Sequence, residues 1–251
     1  MQIINSFITN CPCFKYNANK ADNRYVTFQT RGPLGLMLHS VGCAQPNATV
    51  FVNNWNKSSN TNVAVHAVID SNTGVVRQCL PWNYRGWHGG GNSNNTHIGV
   101  EMCESNYIRY LKPGEVGYAP AKFEILDRTK AQEHCANAYN SAVELFAMLC
   151  KEYNLDPLKD IISHKEGYKL GIATGHTDPE HYWAQLGMPY TMDVFRADVR
   201  EKMGLGAPKQ EDNILYRIQV GSFKNKNNAD NYLKEVKKYF PGAIIVTVKQ
   251  N

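Results

Sequence analysis

Long apolar runs are missing from this 251-residue chain, and none approaches the ~20 residues that a membrane-crossing helix requires. A membrane partner is therefore not expected. The amino terminus, MQIINSFITNCPCF, has neither a basic start nor a continuous apolar stretch ending in small residues, so it does not read as a secretory signal. The sequence also lacks an H-E-x-x-H pattern and any C-x-x-C pair, the short local signatures of zinc sites. Seven cysteines are present, an odd number, and Cys11-Pro-Cys13 is too tightly spaced for a redox or zinc-ribbon pair. They read as reduced packing groups in a reducing compartment. Charge of one sign is scarce: the net charge is +5, of which residues 209–251 supply +4 from eight Lys/Arg against four Asp/Glu. No basic stripe emerges, so nucleic acid is not an expected partner.

Length favours one main domain and a smaller appendage, because domains commonly hold roughly 100–200 residues. LGLMLHS (34–40), VAVHAVID (63–70) and THIGVEMC (96–103) are short β-branched apolar runs bounded by Asn, Gly and Pro, and they read as strands. SNTGVVRQCLP extends the second into a hairpin turning at Asn72-Thr73-Gly74. Asp127 is placed to cap a long helix reaching about Asn154, with Ala138, Ala142, Leu145 and Leu149 on one face. Further helix is expected in DVFRADVREKMG. The fold class that follows is α/β, a mixed central sheet flanked by helices over residues 1–203. GLGAPKQEDN (204–213) reads as a linker, and residues 214–251 as a small β-α-β segment.

A catalytic zinc ion takes three protein ligands from His, Asp, Glu or Cys and keeps one position open. His39 ends an expected strand, His164 follows the Ile161-Ile162 pair, and Asp178 lies in a later loop-like stretch. These three converge only if the strand ends meet, and a strand-end histidine alone is more often a capped or solvated side chain. Alternation within THIGVEMC puts Ile98, Val100 and Met102 on one face and His97, Gly99, Glu101 and Cys103 on the other. From the residues alone, Glu101 reads first as an ion-paired strand carboxylate.

Four ordered stretches narrow the alternatives: MLHSVG (37–42), HAVID with VVRQCLPWNYRGWHGG (66–90), NNTHIGVEMCE (94–104) and ISHKEGYKLGIATGHTDPEHYW (162–183). Together they resemble the zinc-dependent N-acetylmuramoyl-L-alanine amidases of the type-2 family, which includes peptidoglycan-recognition proteins. The resemblance implies His39, His164 and Asp178 as zinc ligands, with Asp178 where other members carry Cys or Asp. It implies Glu101 as the catalytic glutamate and His176 as a donor to the oxyanion. His88 is implied at the substrate cleft, with His66 structural; Trp87, with Trp82 and Tyr84, reads either as the lining of a groove for sugar or peptide or, as such aromatic clusters more often are, as core.

YRIQVGSFKNKNNADNYLKEVKKYFPGAIIVTVKQ is similar to the opening β-α-β of a SPOR domain, a peptidoglycan-binding module. About half of that domain's plan is read here, and completion by pairing of two tails into a homodimer, or by docking on the amidase domain, is expected. The implied activity is cleavage of the amide between N-acetylmuramic acid and L-alanine in the peptidoglycan of Gram-positive bacteria. A phage or prophage endolysin, held in the host cytoplasm until lysis, fits the amino terminus. The alternatives are a bacterial autolysin and a peptidoglycan-recognition module without turnover.

Overall fold

The apolar runs of the first half become the middle of a six-stranded sheet in the computed structural model, which describes residues 1–206, 221–240 and 243–247. In chain order the elements are β1 (Ile3–Asn5), α1 (Pro12–Ala18), α2 (Asn23–Arg31), β2 (Gly35–Ser40), α3 (Ala48–Trp55), β3 (Ala67–Ile69), β4 (Val76–Gln78) and β5 (His97–Met102). They continue with β6 (Ile108–Tyr110), β7 (Phe123–Ile125), α4 (Arg128–Tyr153), β8 (Ile161–Ser163), α5 (His164–Lys169), α6 (Glu180–Leu186), α7 (Met192–Lys202) and α8 (Lys226–Lys237). The chain divides into two units, Met1–Pro208 and Lys209–Asn251.

The sheet runs in the order β1-β4-β3-β5-β2-β8, and β6 and β7 form a separate antiparallel pair. Only β3 and β4 pair antiparallel within the large sheet, through the expected hairpin. Gly74 takes φ +70° in its turn, a conformation that glycine adopts without a Cβ penalty. The expected strand over 63–70 is shorter than its composition suggests. Residues 63–66 precede β3, where Ala64 bridges Trp87 and the His66 side chain takes hydrogen bonds that a ladder does not supply.

Side chains alternate across a strand, so the two faces of this sheet meet different surroundings. Leu36, Leu38, Ala67, Ile69, Ile98, Val100 and Met102 join one buried cluster with Ala138, Ala142, Leu145, Phe146 and Leu149 of α4. Helix α4 starts where Asp127 accepts a hydrogen bond from the Lys130 N–H and ends at Asn154 in a left-handed conformation. Fully burying one of its leucines contributes about 1.5–3 kcal/mol. On the opposite face, Val68 joins a smaller cluster with Ile8, Cys11, Cys13, Cys79 and Cys103. Six of the seven cysteines are buried, Cys43 is exposed, and all are free thiols.

In the second unit, the helix expected between the two strands is α8, capped by Asn225 through the Asn227 N–H. The expected strand at 214–223 lies outside the described residues up to position 220, as does the linker over 204–213 from position 207 onward. Residues 243–247, expected to open the second strand, form none. Extended backbone becomes a strand only with a ladder partner, and among the described residues this segment has none. No helix of the described residues is long and apolar enough to cross a membrane.

Candidate metal centre

Parallel pairing of β2 with β5 sets His39 opposite Glu101, and pairing of β2 with β8 sets Leu38 opposite Ser163, the residue before His164. Two crossovers therefore bring His39 and His164 together although 125 positions separate them. His164, directly after β8, is the first residue of α5. Ser163 caps that helix in a reciprocal box: its hydroxyl accepts from the Glu166 N–H, and Glu166 accepts from the Ser163 N–H. Arg196 of α7 clamps the same Glu166 with both terminal guanidinium nitrogens, at 2.9 and 3.1 Å. The strand-to-helix switch that aims His164 is thus held from two sides.

His39, His164 and Asp178 form the one group of potential metal ligands among the described residues, and all three are buried. His39 Nδ1 lies 3.0 Å from His164 Nδ1 and 3.4 Å from Asp178 Oδ2, while His164 Nδ1 lies 3.6 Å from Asp178 Oδ1. A tetrahedron with zinc–ligand bonds of ~2.0–2.1 Å has edges of about 3.3 Å, so these separations suit one small cation. The charge balance agrees. The Asp178 carboxylate pairs with three imidazoles, those of His39, His164 and His176, and with the Ser40 N–H, but with no Lys or Arg among the described residues. Burial opposes its ionisation, yet the imidazoles of His164, His176 and His39 around it hold it well below the usual carboxylate range. Burial pushes His39 downward, favouring the neutral ring that a metal needs.

Glu101 shares the face of His39, and its Oε2 is buried without a hydrogen-bond partner. Burial, with Asp178 and Glu104 nearby, pushes its carboxyl well above the usual range. His176 is the open wall of the site: its side chain is 58% exposed, its ring stacks on His164 at 4.3 Å, and its Nδ1 lies 3.5 Å from Asp178 Oδ1. Asp178 raises its pKa despite partial burial.

The two residues expected to touch substrate are engaged within the protein. Trp87 packs with the smaller cluster and donates its indole N–H to Tyr25 at 3.2 Å. Both ring nitrogens of His88 have protein partners: Nδ1 lies 3.0 Å from His39 Nε2, and Nε2 lies 3.0 Å from the His97 carbonyl. His66 is structural as expected, linking the Tyr84 carbonyl to the Gly99 N–H, and burial pushes it down to about 4.

Sequence reasoning passed over Glu104. It is fully buried and accepts from the Ser40 hydroxyl (2.7 Å), the Gly42 N–H (3.2 Å) and the Tyr110 hydroxyl (2.6 Å), tying the end of β2 to the hairpin β6–β7. Its carboxyl is pushed up to about 7, chiefly by burial. It lies beyond the end of β5, where strand alternation no longer says which way a side chain points.

Comparison with known proteins gives a family model, described as N-acetylmuramoyl-L-alanine amidase, that matches residues 29–181. A second, the SPOR domain, matches residues 206–251. A search of curated proteins gives no match. Among solved structures, the Staphylococcus aureus hydrolase AmiA, solved with its ligand, is 19% identical with a TM-score of 0.52, over 69% of this chain and 74% of that one. The PlyG catalytic domain is 19% identical with a TM-score of 0.50, over 81% of this chain and 96% of its own. At such identity the likeness is one of fold, a mixed sheet flanked by helices.

Proposed function

This chain belongs to the N-acetylmuramoyl-L-alanine amidase family, and from that premise we propose how its own side chains cut the bond between N-acetylmuramic acid and L-alanine. It is a zinc-dependent peptidoglycan amidase joined to a SPOR cell-wall-binding domain, and His39, His164 and Asp178 are its zinc site. Zinc bound there supplies Lewis-acid polarisation of the scissile carbonyl and acidifies a water at neutral pH.

The remaining steps fall to the protein. Glu101 takes a proton from the attacking water and returns it to the departing amide nitrogen, a role suited to a carboxylate whose burial raises its proton affinity. His176, exposed at the mouth and held by Asp178, donates to the carbonyl oxygen as negative charge develops there. Asp178 supports both ends of this arrangement, as a ligand and as the partner that keeps His176 a donor.

The observation that carries this reading is the unpartnered, buried Glu101 Oε2 on the strand beside His39, at the matching register position. Buried polar atoms are seldom left without a partner, and on the strand beside a metal site such an oxygen is free to meet a water. The test is digestion of purified Gram-positive walls: new L-alanine amino termini without new reducing sugars are expected. New reducing ends alone mean a glycosidase instead.

As to biological setting, we infer a phage or prophage endolysin acting on Gram-positive walls. Expressed without a membrane-pore protein, the enzyme should leave cells intact until the membrane is permeabilised. Its appearance outside intact cells favours an autolysin.

A further inference from the structure

We propose that His88 and Thr174 are positioning residues that fix the tautomers of His39 and His164, so that both Nδ1 lone pairs face one point.

Two carbonyls, which can only accept, fix the proton positions. The His97 carbonyl lies 3.0 Å from His88 Nε2, so that nitrogen carries the proton. A neutral imidazole has one protonated nitrogen, which leaves His88 Nδ1 bare. That bare nitrogen lies 3.0 Å from His39 Nε2, which must therefore be the protonated one and the donor. His39 Nδ1 is left with its lone pair. On the other side, the Thr174 hydroxyl donates to the Gly89 carbonyl at 3.2 Å. Its oxygen then accepts from His164 Nε2–H at 3.3 Å, and His164 Nδ1 is left bare as well.

Both chains lead back to one loop, since the first runs through His88 and the second ends on Gly89. Two imidazole lone pairs 3.0 Å apart repel one another unless a cation sits between them, so this wiring presets the pair for a metal. Room for it comes from Gly99: a Cβ at that position would stand 2.3 Å from His88 Cγ, so only glycine lets the imidazole lie against β5. The usual outer partner of a ligating histidine is a carbonyl or carboxylate. Here a second histidine is inserted between ligand and carbonyl.

The inference rests on the zinc reading of the triad but not on amidase turnover, and its test reads metal affinity and proton position on the full chain. Removing such partners commonly weakens metal binding ~10–100-fold. Zinc dissociation constants measured by chelator competition should rise by that factor in His88→Leu and in Thr174→Val. His88→Asn, whose Oδ1 stands near the former Nδ1, and Thr174→Ser should restore most of the affinity. In nitrogen-15 spectra of the zinc-loaded protein, His39 Nε2–H should exchange slowly in the wild type and in His88→Asn, and rapidly in His88→Leu. If His88→Leu fails to fold, the wild-type spectrum and Thr174→Val still decide. Zinc affinity unchanged in the folded Leu and Val variants, or a proton on His39 Nδ1 in the wild type, overturns the proposal. A wild type that takes up no zinc refutes the metal reading itself.

Discussion

The two faces of β2 and β5 are built from alternate residues of the same two strands, yet they do opposite work. Leu36, Leu38, Ile98 and Val100 point into the cluster beneath α4 and are fully buried among apolar groups. Met37, His39, Gly99 and Glu101 occupy the intervening positions, and there burial surrounds groups that want charge, protons or a cation. Burial stabilises the first face outright, through area removed from water. On the second it raises the proton affinity of Glu101 and keeps His39 neutral, so the same physical term prepares chemistry instead of stability. A one-residue slip of register would exchange the two sets, which is why the apolar face protects the reactive one.

Substitutions on each face should break the comparison in different currencies, and the largest effect is expected at the ligands. His39→Ala should lose both zinc, by metal analysis after dialysis, and wall-clearing activity, by turbidity; chelation of the wild type should reproduce the second loss reversibly. Glu101→Gln should keep its zinc and lose about 10²–10⁴-fold in turnover, the usual scale of a general acid–base group. Near-normal hydrolysis by that variant removes Glu101 from the mechanism.

Leu36→Ala, on the apolar face, should cost about 2–5 kcal/mol in urea unfolding while leaving zinc content and low-temperature turnover intact. His176→Ala should lower kcat about 10²-fold with zinc retained, the lower end for an oxyanion donor because this one is exposed. The smallest effect concerns Glu104. Its folded-state pKa, about 7, stands above the ordinary 4.5, so between those values the folded protein binds more protons than the unfolded chain. Stability of the metal-free protein should therefore fall as pH rises from about 4.5 to about 7, by roughly 2.5 kcal/mol. Glu104→Gln should flatten that slope, and urea melts at pH 5 and pH 7.5 decide it.

Much of this was legible because it is local. The Asp127 cap, the hairpin glycine and the alternation in THIGVEMC each depend on neighbours a few positions away, and each is realised. What escaped was non-local. Helix α5 is too short to show periodicity, and its start depends on a box completed by Glu166 and braced from α7. His88 reads as a cleft residue beside Trp87, but its ring nitrogens answer to His39 and the His97 carbonyl. Thr174 carries no sequence signal, since its importance lies in reaching Gly89 and His164 at once.

Residue order by itself determined which side chains could be ligands, which face of β5 Glu101 would occupy and where the long helix α4 would begin, since these follow from backbone periodicity and nearby hydrogen bonds. Tertiary structure alone decided that β2 lies between β5 and β8, bringing His39, Glu101 and His164 into one site. Parallel neighbours are joined by crossovers whose packing, not their sequence distance, selects the strand order. The proton positions on the imidazoles belong to the same category, because a ring's tautomer is chosen by the partner it meets and not by the chain that carries it.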